Sequence, residues 1–390
     1  MNILVYSSKS VYNTFSFGGA ETSLKLIAEK FAETGHEVIY LTHFNPEKND
    51  QTFEVVNGVG VYYFRPLKWP TPKGLFFPDL KHKFIRRQLL SFIAGIVKKN
   101  KIDLVHTYNE YPNTFDILEV KEKFNLEYKV VLRIAGLFWK IAVERNPELK
   151  PKISKVLNEV DAVNLLSESF LELFNQELEK GNWDFNNKII IQDIGFNSTI
   201  FDGRWQLEKE KKLKLLMVAR FSNYQKRQDI LIEALSKTKN SNVHLTFIGS
   251  GETKERCVDL VDKLNLHERV KFIDEVTQEE IKKYYLEADI NCLATEFEGV
   301  PKSLIEAMSM GVPGMVSDVL PLNGYIIEGE NGFLVKNSAD EWAAKIDEIA
   351  EDRDKLKHVS ENSIVYVNKN FNPNENILLY TNNFLEIVNE

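Results

Sequence analysis

Cysteine is scarce in this chain of 390 residues, and long apolar runs are absent. Cys257 and Cys292 stand far apart and predict no disulfide framework, so a reducing, cytoplasmic environment fits the chain. The longest apolar run, Leu89 to Val97, is interrupted by Ser91 and is far shorter than a membrane span. The opening residues, MNILVYSS, have the pattern of a short strand, and we expect no signal peptide.

A surplus of positive charge and a metal-binding cluster are lacking as well. The formal net charge is −8, which argues against a protein that holds nucleic acid by charge, and we expect no nucleic-acid partner. No cluster of His, Cys and Asp has the spacing of metal ligands, and residues 352–354, DRD, lie in a charged stretch that predicts a solvated helix face. The sequence therefore predicts neither a metal nor another cofactor.

The chain is rich in short apolar runs that alternate with longer amphipathic segments. Predicted strands lie at Ile3–Tyr6, Glu37–Leu41, Val59–Phe64, Asp103–His106, Lys129–Ile134, Ala162–Leu166, Lys188–Ile191, Lys214–Val218, His244–Ile248, Val270–Ile273, Asp289–Leu293, Pro313–Val316 and Gly332–Val335. Predicted helices include Glu21–Thr34, Gln225–Ser236, Glu279–Glu287 and Pro373–Glu390. This alternation predicts an α/β chain with parallel sheets and helices on both faces. The charged residues 208–212 separate two series of strands, which predicts two domains, 1–200 and 201–372.

Residues 296–318, EFEGVPKSLIEAMSMGVPGMVSD, hold the candidate site. The apolar run 288–294 before them predicts a buried strand. A helix is predicted to follow, because Pro301 suits a first helical turn and Gly311 suits the end of a helix. The segment therefore predicts a strand, a tight loop and a helix in succession.

Two carboxylates and two backbone amides are expected around the start of this helix. Glu298 belongs to the loop and Glu306 to the helix, and the amides of Gly299 and Val300 lie at the positive end of the helix dipole. Amides at that end bind an anion, and carboxylates accept hydrogen bonds from hydroxyl groups. The arrangement predicts a site for a phosphate beside polyhydroxyl groups.

The pattern E-G-x-P-x-S-L-x-E-A-M-x-x-G-x-P in this segment resembles the E-x7-E signature of the retaining nucleotide-sugar glycosyltransferases of family 4. The strings GGAE at residues 18–21 and GHEV at residues 35–38 resemble the opening of the same family. The resemblance implies the GT-B fold, in which two doubly wound, Rossmann-like domains face each other across a cleft. It also implies that the last helix, residues 373–390, packs back on the first domain.

The resemblance further implies how a sugar donor is bound. Arg220 and Lys226 would stabilise the leaving nucleoside diphosphate, on which negative charge grows in the transition state. Glu298 would hold hydroxyl groups of the transferred sugar, and Glu306 would accept hydrogen bonds from the ribose. The implied donor-binding residues are Gly18, Gly19, Arg220, Lys226, Gly249, Val276, Glu298, Gly299, Val300, Pro301 and Glu306, with Val276 acting through its backbone. The implied catalytic residues are Glu298, Arg220, Lys226 and His106.

The acceptor side departs more from the family pattern. His106 closes the string DLVH, which resembles the family at this point, and it is a candidate acceptor-side residue. Many relatives carry a functional histidine at the end of the next strand, where this chain has Ala135. Arg133 either supplies positive charge to the acceptor side or is structural, and the sequence leaves both open. Ile194 replaces an asparagine that is usual between the domains, which removes any polar contact from that side chain.

Residues 65–101 are basic although the chain is acidic, with Asp79 as their one acid, and they contain interleaved aromatic residues and prolines. A solvated basic helix with a proline-rich loop would explain the composition. A patch that binds an anionic membrane surface or an anionic acceptor would also explain it, since lysines and aromatic residues suit an interface. Both alternatives stay open, and the second would place the protein peripherally on the cytoplasmic membrane face.

The expected activity is retaining, metal-independent transfer of a sugar from a nucleotide diphosphate sugar to a hydroxyl of a sugar or lipid-linked acceptor. Family habit points to cell-surface polysaccharide or glycolipid biosynthesis. The alternatives are a phosphorylase or epimerase of GT-B fold, which would use the same cleft, and a non-catalytic protein that binds sugar nucleotides. A nicotinamide dehydrogenase is disfavoured, because the turn at residues 249–251 lacks the third glycine of the dinucleotide fingerprint.

Overall fold

The computed structural model describes residues 1–13, 19–47, 51–67, 78–108, 110–196, 201–207, 212–222 and 225–390. The chain divides into two compact units. Unit 1 comprises Met1–Leu166, Phe174–Ile194 and Pro373–Glu390, and unit 2 comprises Ser167–Leu173 and Gly195–Asn372. The sequence-based boundary after residue 200 is thus a few residues late, and it missed the short segment 167–173 that belongs to unit 2.

Strands and helices alternate along both units. The strands are β1 (Asn2–Tyr6), β2 (Glu37–His43), β3 (Phe53–Val56), β4 (Val59–Phe64), β5 (Leu104–Tyr108), β6 (Lys129–Arg133), β7 (Ala162–Leu165), β8 (Ile189–Ile191), β9 (Leu213–Val218), β10 (Val243–Ile248), β11 (Val270–Ile273), β12 (Ile290–Leu293), β13 (Gly314–Ser317) and β14 (Gly332–Val335). The helices are α1 (Gly19–Glu33), α2 (Pro78–Asn100), α3 (Phe115–Lys123), α4 (Phe138–Arg145), α5 (Lys150–Glu159), α6 (Glu168–Lys180), α7 (Gln228–Lys237), α8 (Lys254–Lys263), α9 (Gln278–Glu287), α10 (Lys302–Ser309), α11 (Ala339–Glu351), α12 (Lys355–Asn370) and α13 (Pro373–Asn389).

The described residues of each unit form one sheet. In unit 1 the strand order is β3-β4-β2-β1-β5-β6-β7-β8, and every neighbouring pair is parallel except β3 with β4. In unit 2 the order is β11-β10-β9-β12-β13-β14, and every pair is parallel. The predicted α/β class with two doubly wound sheets is confirmed.

Strand β3 was not predicted, although the sequence signals it. It pairs antiparallel with β4 across a two-residue turn at Asn57 and Gly58, whose φ values are 50° and 80°. Two positive φ values in succession suit an Asn-Gly hairpin turn, because these residues tolerate the left-handed region. The Asn-Gly pair between two β-prone runs is therefore a sequence signal for this hairpin, which strand–helix alternation alone does not reveal.

Helix α13 belongs to unit 1, where its apolar face covers the sheet and α1. Ile377, Tyr380 and Phe384 are buried on that face. The ring of Phe384 stacks on that of Phe31 with centroids 5.4 Å apart. Residues that are last in sequence thus complete the core of the unit in which the sequence begins.

The strand order of unit 2 locates a candidate binding edge. The order reverses between β9 and β12, which are neighbours in the sheet. In open parallel sheets, ligands bind outside the carboxyl ends of the strands at such a reversal. The residues that follow β9 and β12 therefore lie at the candidate binding edge, and they include residues 298–306.

Candidate functional site

The two segments that follow β9 and β12 pair with each other. Lys226 and Thr295 form an isolated antiparallel bridge. The Arg227 amide donates to the Ala294 carbonyl (2.9 Å), and the Glu296 amide donates to the Gln225 carbonyl (2.8 Å). This short ladder brings Lys226 into the neighbourhood of Glu298.

Lys226 and Glu298 form an ion pair whose side chains are 13% and 10% exposed. Burial lowers the pKa of the Lys226 ammonium to about 7, while the adjacent Glu298 carboxylate favours the charged form. A bound phosphate would add a second negative group and favour the ammonium further. The structure thus brings together two of the residues that the sequence predicted for the site.

Gln225 was not singled out from the sequence, yet it holds the Glu298 loop. Its Nε2 donates to the Phe297 carbonyl (3.0 Å) and lies 3.4 Å from Oε2 of Glu298. The Thr295 hydroxyl donates to the carbonyls of Gln225 and Phe297, both at 2.9 Å. The loop is therefore fixed by hydrogen bonds from both segments. The only sequence signal for Gln225 was that it directly precedes Lys226.

The loop leads directly into α10. Glu298 is buried, and Gly299 and Val300 are half-buried. The sequence predicted Pro301 within the first helical turn, whereas in the structure it is the residue just before the helix. Gly311 follows the last turn with a φ of 84°, which confirms that it ends the helix. The predicted succession of strand, loop and helix is correct.

Glu306 lies in the second turn of α10 and is held by a tyrosine. The Tyr285 hydroxyl of α9 donates to Oε2 of Glu306 at 3.0 Å. Burial raises the pKa of Glu306 to about 7, and Lys302 and the Tyr285 hydroxyl act in the opposite direction. No sequence pattern pointed to Tyr285, because the bond joins two helices.

Arg220 and Gly249 lie on neighbouring strand ends. Arg220 is exposed two residues after β9, and its carbonyl accepts from Nε2 of Gln228 (3.1 Å). Gly249 follows β10 with a φ of 147°, and a Cβ there would stand 2.2 Å from the Ala219 carbonyl oxygen. Only glycine fits this close approach. Val276 is half-buried in the turn after β11.

His106 does not have the surroundings expected of an acceptor-side or catalytic residue, and that prediction was wrong. The side chain is fully buried in unit 1, with its ring 5.2 Å from that of Phe384 and 6.2 Å from that of Tyr380. Burial, assisted by the charge of Arg133, lowers its pKa to about 3, so the imidazole is neutral at neutral pH. A neutral ring enclosed by aromatic side chains serves packing.

Arg133 is structural, which settles the alternative that the sequence left open. It is 1% exposed and pairs with Asp193 at 3.0 Å. Its Nη1 donates to the Tyr380 hydroxyl (2.5 Å) and to Oδ1 of Asn164 (3.2 Å). Arg133 therefore ties β6 to α13 and has no exposed group to offer an acceptor.

The remaining predicted residues are placed as follows. Gly18 lies outside the described residues, and Gly19 is exposed as the first residue of α1. Asp352 to Asp354 connect α11 to α12 and are not a helix face, and Arg353 pairs with the buried Asp289 at 2.5 Å. Within the described ranges, no group of three His, Cys, Asp or Glu residues could hold a metal ion. In the same ranges, no helix has the length and apolar character needed to cross a membrane.

Comparison with known families accounts for this arrangement. Residues 201–365 match the family described as glycosyl transferases group 1, and residues 17–177 match Glycosyltransferase Family 4. Together these matches span most of the chain. The protein is a family 4 glycosyltransferase. It is 25% identical over 355 residues to an uncharacterised glycosyltransferase of Methanocaldococcus jannaschii, with 86% of each chain covered.

Further similarities place the glycosyltransferase among enzymes of GT-B fold. A sucrose-phosphate synthase from Thermosynechococcus elongatus superposes with a TM-score of 0.79 at 19% identity, covering 99% of this chain and 98% of the other. HepE of Anabaena, solved in complex with UDP-glucose, superposes with a TM-score of 0.74 at 16% identity, covering 98% of this chain and 100% of the other. The O-antigen biosynthesis glycosyltransferase WbnH of Escherichia coli is 33% identical over 146 residues, or 37% of this chain and 39% of its own. At these identities the two structures establish the fold.

Proposed function

We propose that this glycosyltransferase moves a sugar from a nucleoside diphosphate sugar to an acceptor hydroxyl, with retention of anomeric configuration and without a metal. The observation that carries the proposal is the ion pair between Lys226 and Glu298, which lies where the strand order of unit 2 reverses. The pair places a cation that can bind a diphosphate beside a carboxylate that can accept hydrogen bonds from sugar hydroxyls. The UDP-glucose complex of the structurally similar HepE supports a donor of this class. The likeness to WbnH supports a place in polysaccharide biosynthesis.

Each residue of the site has a separate role in this proposal. Lys226 and the exposed Arg220 stabilise the charge that grows on the leaving diphosphate. Glu298 accepts hydrogen bonds from the sugar, and Glu306 accepts them from the ribose. The amides of Gly299 and Val300, just before α10, complete the phosphate site. With cations supplied by side chains, the leaving group needs no metal for its stabilisation.

Thermal unfolding with UDP, GDP and ADP, each in EDTA, tests the donor site. A nucleotide at roughly a hundred times its dissociation constant is expected to stabilise the protein by about 2.7 kcal/mol. The melting temperature should then rise by a few degrees. We expect one of the three nucleotides to give this shift, and Lys226→Ala to abolish it.

The matched control is Lys271→Ala, which removes an exposed lysine of the same unit and should leave the nucleotide-induced shift intact. A shift that appears only when Mg²⁺ replaces EDTA would contradict the metal-independent part of the proposal. The absence of a shift with all three nucleotides would contradict the donor class.

A second proposal concerns the membrane. Several side chains in the first turns of α2 are exposed to solvent. They are the basic Lys81, Lys83 and Arg87 and the apolar Leu80, which is 51% exposed. Leu67 is 71% exposed before residues 68–77, the aromatic and proline-rich part of the basic segment, which lie outside the described residues. Lysines beside exposed leucines suit an anionic membrane surface. We propose that this end of α2 binds such a surface.

Co-sedimentation with vesicles tests the membrane proposal. Vesicles with anionic lipid should bind more protein than neutral vesicles, and Lys81→Gln/Lys83→Gln should weaken binding by about thirtyfold, since each surface lysine contributes about 1 kcal/mol. Lys263→Gln/Lys271→Gln removes the same charge from exposed positions of unit 2 and should leave binding unchanged. Equal binding to anionic and neutral vesicles would refute the proposal.

A further inference from the structure

The hydroxyl of Tyr285 stands against one carboxylate oxygen of Glu306. Tyr285 is fully buried in α9, and its hydroxyl donates to Oε2 of Glu306 in α10 at 3.0 Å. Glu306 itself is only partly buried. The bond therefore reaches from the core of unit 2 to a carboxylate at the edge of that core.

Tyr285 is held firmly enough to orient its partner. Its ring packs at 6.3 Å from that of Phe201, and its carbonyl accepts from the Ala288 amide at 3.1 Å. The Trp205 indole donates to the Ala288 carbonyl at 2.7 Å, which fixes the end of α9. A side chain locked by packing on one helix is well suited to fix the rotamer of a carboxylate on the next.

A carboxylate that receives a diol needs a defined orientation. Each carboxylate oxygen has two lone pairs, so Oε1 can accept from two vicinal hydroxyls, provided that the plane of the carboxylate is correctly turned. The Tyr285 bond satisfies Oε2 from the protein side and restricts rotation about the last side-chain torsion of Glu306. Burial acts against the charged form of Glu306, and the Tyr285 hydroxyl and Lys302 act in its favour.

We propose that Tyr285 is a positioning residue for ribose recognition: its hydroxyl holds the Glu306 carboxylate turned so that Oε1 receives the ribose hydroxyls of the donor. This inference rests on the proposed function, since it assigns the ribose to Glu306. Tyr285 itself does not touch the donor. Its effect is confined to how strongly the site distinguishes a ribose from a sugar without those hydroxyls.

The test compares the nucleotide that shifts the melting temperature with its 2′,3′-dideoxy analogue, using titration calorimetry on the full chain. The wild-type protein should bind the ribonucleotide about tenfold or more tightly than the analogue. Tyr285→Phe should weaken binding of the ribonucleotide by about fivefold to tenfold and leave binding of the analogue within about twofold, because the Glu306 carboxylate loses one orienting hydrogen bond of ordinary strength. Glu306→Ala should remove the discrimination, and Tyr284→Phe, which removes a hydroxyl from the neighbouring residue of α9, should keep it.

The outcomes separate the inference from the function beneath it. Discrimination that disappears in Glu306→Ala but is unchanged in Tyr285→Phe would overturn the role of Tyr285 and leave the proposed function standing. Wild-type discrimination retained in Glu306→Ala would overturn the assignment of the ribose to Glu306. Equal loss of affinity for both nucleotides in Tyr285→Phe would indicate a structural role alone and would also overturn the inference.

Discussion

Lys226→Ala is expected to lower the turnover of sugar transfer by about 100- to 1,000-fold, which is the usual loss when one preorganised group that stabilises transition-state charge is removed. Lys226 is held beside Glu298 by the ladder between the segments that follow β9 and β12, so its position is fixed before the donor binds. Arg220→Ala should also lose most of the turnover. The measurement is the initial rate of transfer from the nucleotide sugar whose base the melting experiments identify.

Controls separate chemistry from folding in this experiment. Lys226→Arg retains a cation and should keep more activity than Lys226→Ala. Lys271→Ala, on an exposed position of β11, should have the turnover of the wild type. Turnover near that of the wild type in both Lys226→Ala and Arg220→Ala would refute the assigned roles. If the protein were a non-catalytic binder, the wild type itself would bind the nucleotide but would transfer no sugar.

Arg133→Ala is expected to lower the free energy of unfolding by about 3–5 kcal/mol, because it leaves the buried carboxylate of Asp193 without its partner. The same change removes two hydrogen bonds that tie β6 to Tyr380 and Asn164. Urea unfolding followed by circular dichroism measures the loss. Tyr380→Phe, which removes a hydroxyl from the same network, should cost less, about 1–3 kcal/mol.

The control on the same strand is Lys129→Ala. Lys129 pairs with Asp161 at 3.4 Å and is 31% exposed, so its loss should cost less than about 1 kcal/mol. An Arg133→Ala protein as stable as the wild type, but with a raised KM for the acceptor, would restore the acceptor-side role that the structure has removed from this residue.

The parts of the fold that the sequence predicted are those set by local patterns. Apolar runs marked every described strand except β3, since a buried parallel strand must be apolar on both faces. The 298–311 segment was predictable because Pro301 and Gly311 delimit a helix by their backbone geometry alone. Glu298 was predicted from the loop before the helix and Lys226 through the resemblance, and their pairing required the three-dimensional structure.

The parts that the sequence did not predict depend on contacts between distant residues. Tyr380 is far from Arg133 in sequence, yet its hydroxyl accepts from that guanidinium in the core of unit 1. His106 looked like a site residue because the predicted strand ended there, whereas β5 continues to Tyr108 and Phe384 of α13 packs against the His106 ring. The sequence pattern of a strand leaves its last residue uncertain by a residue or two, and that difference decides whether a side chain lies at the binding edge or in the core.

The insertion of unit 2 into unit 1 affects how the chain folds during synthesis. Residues 195–372 are complete before α13 leaves the ribosome, whereas the core of unit 1 lacks Tyr380 and Phe384 until then. Phe31 and His106, which those rings cover in the finished protein, stay uncovered throughout that interval. Domains generally fold as they emerge, with the N-terminal one first. Here the unit that emerges first is the last to be closed, and its aromatic core is exposed to chaperones and to aggregation for the longest time.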